Sequence, residues 1–189
     1  MDGMQIHSRY KLDRAVARAE DPRSNTRGFL IDTEVGLAVV TDGRILATVP
    51  CEIEDDDMPV GEVVIPAEAL KAARKAKVRG AEELGIEIGA GRVFVSDENG
   101  QQSFRALGGE YPNYKNVLPE KGDGFSITLN ADMLHRLADA LGAEGSGVTL
   151  TFQKDKTGQL DSRRPVHVTP LGDHGDAKPV GVIVPLSGI

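Results

Sequence analysis

Short runs of alternating Val, Ile and Leu recur along the chain, each closed by a turn signal, with one stretch of helical spacing set among each group of runs. A period of two suits a pleated strand with one buried face, and a period near 3.6 suits a helix. The switching between them restricts the fold to short helices laid on antiparallel sheets. Met4–Ser8 reads as a strand and Lys11–Glu20 as a helix, with strands at Gly28–Thr33, Leu37–Thr41 and Arg44–Ile53. Asp42-Gly43 between the last two is a hairpin signal. A second group opens with the strand Glu62–Ile65, and Pro66 starts a helix over Ala67–Lys77, since a first-turn proline lacks only an N–H that has no partner there. Strands around Leu84–Ile88, Val93–Val95 and Ser103–Leu107 follow, the last entered through Asn99-Gly100.

A third group begins with Phe125, Ile127 and Leu129. Asn130 caps a helix over Ala131–Leu141, Gly142 ends it, and strands follow around Val148–Phe152, Val166–Val168 and Val180–Val184. The expected fold is therefore α+β: three βαβββ-type units in a row, with the helices on one face of antiparallel sheets. An α+β domain without internal repetition accommodates the same pattern. Glu110–Asp123, with Pro112, Pro119 and mixed charges, reads as the connector between the second and third units.

Charge decides which partners are open to such a fold. The formal net charge of −7 excludes uniform coating by nucleic acid but not a local basic face. At about 100° per residue, Lys71, Arg74, Lys75 and Arg79 share one face of the second helix, opposite Ala69, Ala72, Ala73 and Ala76. Lys11, Arg14 and Arg18 share a face of the first, while Leu12, Val16 and Ala19 share another. Met133, Leu134, Leu137 and Leu141 form the apolar stripe of the third helix, whose polar face is nearly neutral. Basic helix faces serve solvation as well as phosphate contact. Two of them in an acidic chain, with the acids gathered in loops such as Glu52–Asp57, favour a sequence-independent contact with duplex backbone. Aromatic residues are too few, at 4%, to build a base-stacking platform.

Catalytic chemistry has no nominee. His7, His135, His167 and His174 share no metal-ligand spacing with one another or with Cys51. The single cysteine excludes an intramolecular disulfide and fits a buried strand end in a reducing compartment. Asp55, Asp56 and Asp57 lack the alternation and turn glycine of a calcium loop, and Gly89-Ala90-Gly91 precedes a strand, not a helix. No nucleophile elbow, phosphate-binding loop or Ser/His/Asp set is present. The reading is no enzyme, no cofactor and no metal. Without a signal-peptide core or an apolar run near 18 residues, a cytoplasmic, non-membrane protein is expected.

Four segments carry a resemblance. Gly36-Leu37-Ala38-Val39-Val40-Thr41-Asp42-Gly43-Arg44-Ile45-Leu46-Ala47 is similar to the L-x-x-V-A-T-D-G-H-R-L-A segment of the bacterial sliding clamp, the β subunit of DNA polymerase III. Gly109-Glu110-Tyr111-Pro112-Asn113-Tyr114-Lys115-Asn116-Val117-Leu118-Pro119 resembles the clamp's G-R-F-P-D-Y-R-R-V-L-P, and Gly61–Pro66 its V-V-I-P. The tail Val180–Leu186 resembles the closing Y-V-V-M-P-M-R-L. Arg44-Ile45 replaces the usual His-Arg, Val184 and Leu186 replace the tail methionines, and Ser187 replaces its arginine.

The resemblance implies a DNA-clamp-like fold of about one and a half clamp domains. Residues 1–121 would correspond to the middle domain and 122–189 to half of the third. It implies a non-catalytic processivity or tethering factor that encircles or clasps duplex DNA, using Lys11, Arg14, Arg18, Lys71, Arg74, Lys75 and Arg79. It also implies a hydrophobic groove for peptides of polymerases or repair proteins, formed by Thr41, Gly43, Arg44, Leu46, Val117, Pro119, Val182, Val184, Pro185 and Leu186. Three units per chain would close a ring as a homo-oligomer of four. The alternative is a monomeric clamp-derived module that binds such peptides, or regulates replication, without encircling DNA.

Overall fold

Strands that are apolar at all but their last position are buried on both faces, and two such strands, Gly28–Asp32 and Leu37–Thr41, organise the first part of the chain. A computed structural model describes residues 3–17, 24–54, 61–77, 82–97, 100–119, 124–143, 147–171 and 179–186. The chain divides into two units, Met1–Pro119 and Glu120–Ile189. The first holds strands β1 (Met4–His7), β2 (Gly28–Asp32), β3 (Leu37–Thr41), β4 (Leu46–Pro50), β5 (Glu52–Ile53) and β6 (Glu62–Pro66). Helix α1 (Ala67–Ala76) and strands β7 (Glu83–Gly89), β8 (Arg92–Asp97) and β9 (Gly100–Arg105) complete it. Two antiparallel sheets result, in the orders β5-β1-β7-β8-β9 and β4-β3-β2-β6.

Every residue of β2 is buried. Phe29 and Ile31 face the main core with Met4, Ile6, Val40, Ile65, Leu70, Leu84, Ile86 and Val93. Leu30 faces a second cluster with Val39, Val64, Tyr111 and Tyr114. The alanines of α1 bring its axis close to the core, and Ala69, Ala72 and Ala73 are buried there. Gly28 permits the tight β2–β6 contact, because a Cβ at this position would lie 2.2 Å from the Ile65 carbonyl oxygen.

Three expectations change here. The described part of Lys11–Glu20 is a single 3-10 turn, Leu12–Arg14, not an α-helix. The Ala17 N–H donates to the Thr26 carbonyl at 2.8 Å and so leaves the helical ladder. The expected strand Arg44–Ile53 divides at Cys51, and β4 and β5 join different sheets. The Cys51 N–H bonds the Gly36 carbonyl at 3.0 Å at this crossing. Tyr111 and Tyr114 make the first half of the expected connector part of a core, because their rings cover the outer face of β2 and β3. Asn99 and the Asp55, Asp56 and Asp57 run lie outside the described residues.

The second unit holds helix α2 (Ala131–Ala140) and strands β10 (Gly147–Thr151), β11 (Val166–Leu171) and β12 (Gly181–Ile183), antiparallel in that order. The Asn130 carboxamide oxygen caps α2 by accepting the Met133 N–H at 3.0 Å, and Gly142 ends it at φ 71°. Leu134, Leu137 and Leu141 pack on Val166, Val168 and Ile183. Met133, at the edge of the apolar stripe, is 53% exposed. Phe125, Ile127 and Leu129, expected as a strand, do not form one. One backbone bond, Leu186 N–H to the Thr128 carbonyl at 2.8 Å, ties this segment to the tail. The fold is thus α+β with antiparallel sheets, each α-helix covering one face of its own sheet; β6-α1-β7-β8-β9 has the full clamp-like βαβββ order and the other two groups have it in part.

Candidate functional site

The β3–β4 connection is held as a rigid turn by its own side chains. The Asp42 carboxylate accepts the Arg44 and Ile45 N–H groups at 2.8 and 2.9 Å. Those two bonds, Ile45 first, hold the carboxyl below its ordinary range against a smaller opposing effect of burial. The Thr41 hydroxyl donates to the Ile45 carbonyl at 2.6 Å and accepts the Gly43 N–H at 3.0 Å. Gly43, at φ 85°, takes the left-handed conformation that this turn requires. Asp42-Gly43 therefore supplies both the acceptor and the permissive backbone position, and both are legible in the sequence.

The turn is pinned to the segment that ends the first unit. The Thr41 N–H donates to the Tyr111 hydroxyl at 3.1 Å, and that hydroxyl approaches the Gly28 carbonyl at 3.4 Å. Burial pushes Tyr111 up to about 12. Three residues on, the Tyr114 hydroxyl donates to Asp32 at 2.8 Å, and the Lys115 ammonium meets the same carboxylate oxygen at 2.8 Å. Burial and then the Asp32 carboxylate raise Tyr114 to about 12. Asp32 is itself only 1% exposed. Burial acts on it most strongly and upward, but the bonds from Lys115, Tyr114 and Val35 together outweigh that and leave it lowered. A buried carboxylate with this many donors is a structural clamp on the Tyr-Pro-Asn-Tyr-Lys segment, and nothing in the local sequence marks Asp32 for that role.

This frame sorts the groove candidates of the first unit. Thr41 is buried and its hydroxyl is held within the turn; Gly43 and Arg44 are exposed at the tip; Leu46 packs partly against the tyrosine cluster. Ile45 at 54%, Val117 at 66% and Leu118 at 38% stand exposed, and Pro119 is exposed with them. In the second unit Pro185 is buried, whereas Val182, Val184 and Leu186 are 51%, 63% and 40% exposed. Of the twelve large hydrophobic side chains exposed among the described residues, seven lie in these three segments: Ile45, Val117, Leu118, Val180, Val182, Val184 and Leu186.

The cationic candidates divide as well. Lys11, Arg14, Lys71 and Lys75 are exposed. Arg74 turns inward, its guanidinium 3.1 Å from the Asp13 carboxylate and bonded to the Tyr10 carbonyl. Helix spacing gives no sign of this, because the partner sits on the preceding 3-10 turn. Arg18 and Arg79 lie outside the described residues. No cluster of three or more His, Cys, Asp or Glu able to hold a metal occurs among the described residues. None of the described helices is long and apolar enough to cross a membrane. Cys51 is buried, and burial, with the nearby Asp32 charge second, raises its thiol to about 11, which leaves it unreactive at neutral pH.

No family model matches the sequence, and no curated protein matches it. Solved structures do. The DNA polymerase sliding clamp of Pseudomonas aeruginosa superposes with a TM-score of 0.69 at 17% identity, over 97% of this chain and 52% of the clamp. The Bacillus subtilis clamp gives 0.68 at 22% identity, over 96% and 48%. The β subunit of the Streptococcus pyogenes DNA polymerase gives 0.68 at 14% identity, over 99% and 51%. The chain thus has the fold of sliding clamps and spans about half the length of each.

Proposed function

We propose that this chain is a clamp-derived interaction module, without chemistry of its own, that captures short linear peptides of replication or repair proteins and does not depend on encircling DNA. The exposure of apolar side chains in three of the clamp-like segments carries the reading. Val, Ile and Leu left in water at a hydrogen-bonded turn of the first unit, and again at a strand end of the second, are each apolar surface of the kind that holds an extended peptide. On the first unit the proposed contacts are Arg44, Leu46, Val117 and Pro119; on the second unit Val182, Val184 and Leu186 form an apolar edge of its own. The rigidity of the Asp42 turn supports the proposal, since a preorganised wall lowers the entropy cost of binding. Residues 1–121 stand for a clamp middle domain and 122–189 for half of a third in this reading.

The test is fluorescence anisotropy with a short labelled peptide carrying neighbouring Leu and Phe side chains. Val117→Asp and Val182→Asp should each weaken binding by about tenfold or more, roughly the effect of exposing one buried apolar side chain with an added desolvation cost. Binding that neither substitution changes would refute the contact set. Native mass across a dilution series separates this reading from the ring. A concentration-stable tetramer, retained on circular but not linear DNA through Lys11, Arg14, Lys71 and Lys75, would replace the module by an encircling tether.

A further inference from the structure

Four of the seven Lys and Arg residues in 120–189 fall within eleven positions, Lys154, Lys156, Arg163 and Arg164, and all four are exposed. They stand on an ordered excursion between β10 and β11. Lys154 and Leu160 form an antiparallel bridge. The Asp155 N–H bonds the Gln159 carbonyl at 2.7 Å and the Asp161 N–H bonds the Gln153 carbonyl at 3.0 Å, so the two arms are held together.

The two acids of the hairpin are engaged in building it. Asp155 Oδ1 accepts the Thr157 N–H at 2.7 Å, the Thr157 hydroxyl at 2.6 Å and the Gln159 N–H at 3.1 Å. Asp161 accepts the Arg163 N–H at 3.0 Å and lies 3.7 Å from the Arg163 Nε and 3.4 Å from the Arg164 Nε. Among the described residues Lys154 and Lys156 have no ion-pair partner. The hairpin carries a net charge of +2 in a chain of −7.

We propose that this hairpin is a nucleic-acid contact, independent of the basic face of α1, which grips the phosphate backbone of duplex DNA from the side, without encirclement. Two Lys point charges and two Arg forks, with the Gln159 amide and the Ser162 hydroxyl exposed among them, are the donor types that hold phosphate oxygens. The absence of aromatic residues between Gln153 and Arg164 argues for duplex backbone over stacked single strand. The tip Thr157-Gly158-Gln159 is polar, and the single Leu160 beside it, 41% exposed, is far less apolar surface than an amphipathic lipid-binding face buries. The contact goes beyond the peptide reading and does not rest on it.

Titration of a short labelled duplex into the full chain, repeated across a salt series, tests the proposal. With Lys154, Lys156, Arg163 and Arg164 all changed to Gln, affinity should fall about tenfold or more at low salt. The plot of log affinity against log salt should become shallower by about 3 to 4, near 0.9 for each phosphate that is no longer neutralised. The charge-keeping pair Lys154→Arg and Lys156→Arg should retain wild-type affinity. An unchanged slope in the Gln variant overturns the proposal, as does an equal drop in the charge-keeping pair, which would assign the effect to hairpin structure. Retention of the wild-type chain on anionic phospholipid vesicles but not on duplex overturns it too. Peptide binding, measured on the same Gln variant, should be unaltered.

Discussion

Replacing Tyr111 by Phe removes one oxygen and isolates the hydrogen bond that ties the β3–β4 turn to the end of the first unit. The ring stays in place, 8% exposed among Leu30, Val39, Val64 and Tyr114, so packing is nearly conserved. What disappears is the acceptor for the Thr41 N–H at 3.1 Å; the 3.4 Å approach to the Gly28 carbonyl is too long to add much. Thr41 is 5% exposed, so its N–H gains little from water when the partner goes. Leaving such a donor unsatisfied costs about 1–3 kcal/mol. At about 1.4 kcal/mol per tenfold, amide exchange at Thr41 should accelerate by roughly 5- to 150-fold. Amides of β7, which has no part in this interaction, should keep their protection unless the whole unit is destabilised. Hydrogen exchange read residue by residue is the assay, and peptide affinity should drop with the loosened turn. Thr41 protection within about twofold of wild type would refute the claim that the hydroxyl pins the turn.

Other perturbations reach the remaining parts of the account. Asp32 has a lowered native pKa, so its contribution to stability is fully present above the unfolded value of about 3.9 and is lost as pH falls through the lower native one. Asp32→Asn should flatten the acid limb of a stability–pH profile measured by denaturant titration, and an unaltered limb would count against the assignment. Gly181→Ala places a Cβ 2.7 Å from Leu137 Cδ1 and 3.1 Å from Leu141 Cδ1; it should cost about 1–3 kcal/mol, read as a lowered thermal midpoint of the second unit. Arg74→Gln should destabilise the first unit by freeing Asp13, whereas Lys71→Glu with Lys75→Glu, both exposed, should leave its stability within about 0.5 kcal/mol of wild type, a contrast read by thermal melting.

Local periodicity carries much of this architecture, and tertiary contacts decide the rest. The alternation in Leu84, Ile86 and Ile88, the Asn130 and Gly142 helix limits, and the Asp42-Gly43 turn depend on neighbours in sequence, and they are readable there. The helix expected over Lys11–Glu20 fails because the Thr26 carbonyl, distant in sequence, takes the Ala17 N–H. The division of Arg44–Ile53 fails to show for a similar reason: one apolar run serves two sheets, and only their assembly fixes the break at Cys51. Among the candidate site residues, exposure of Val117, Val182 and Val184 follows from their strand and loop positions. The inward turn of Arg74, the burial of Pro185 and the buried Asp32–Tyr114–Lys115 contact depend on partners that no spacing rule supplies.

Peptide capture is the central claim, and amide chemical-shift mapping tests it most directly. Titrating the Leu- and Phe-bearing peptide into isotopically labelled chain should move the resonances of Arg44, Leu46, Val117, Val182, Val184 and Leu186, leaving β7 and β8 unmoved. Saturable shifts confined to those residues are the predicted result. Shifts centred elsewhere, or none at peptide concentrations that saturate a sliding clamp measured alongside, would contradict the account.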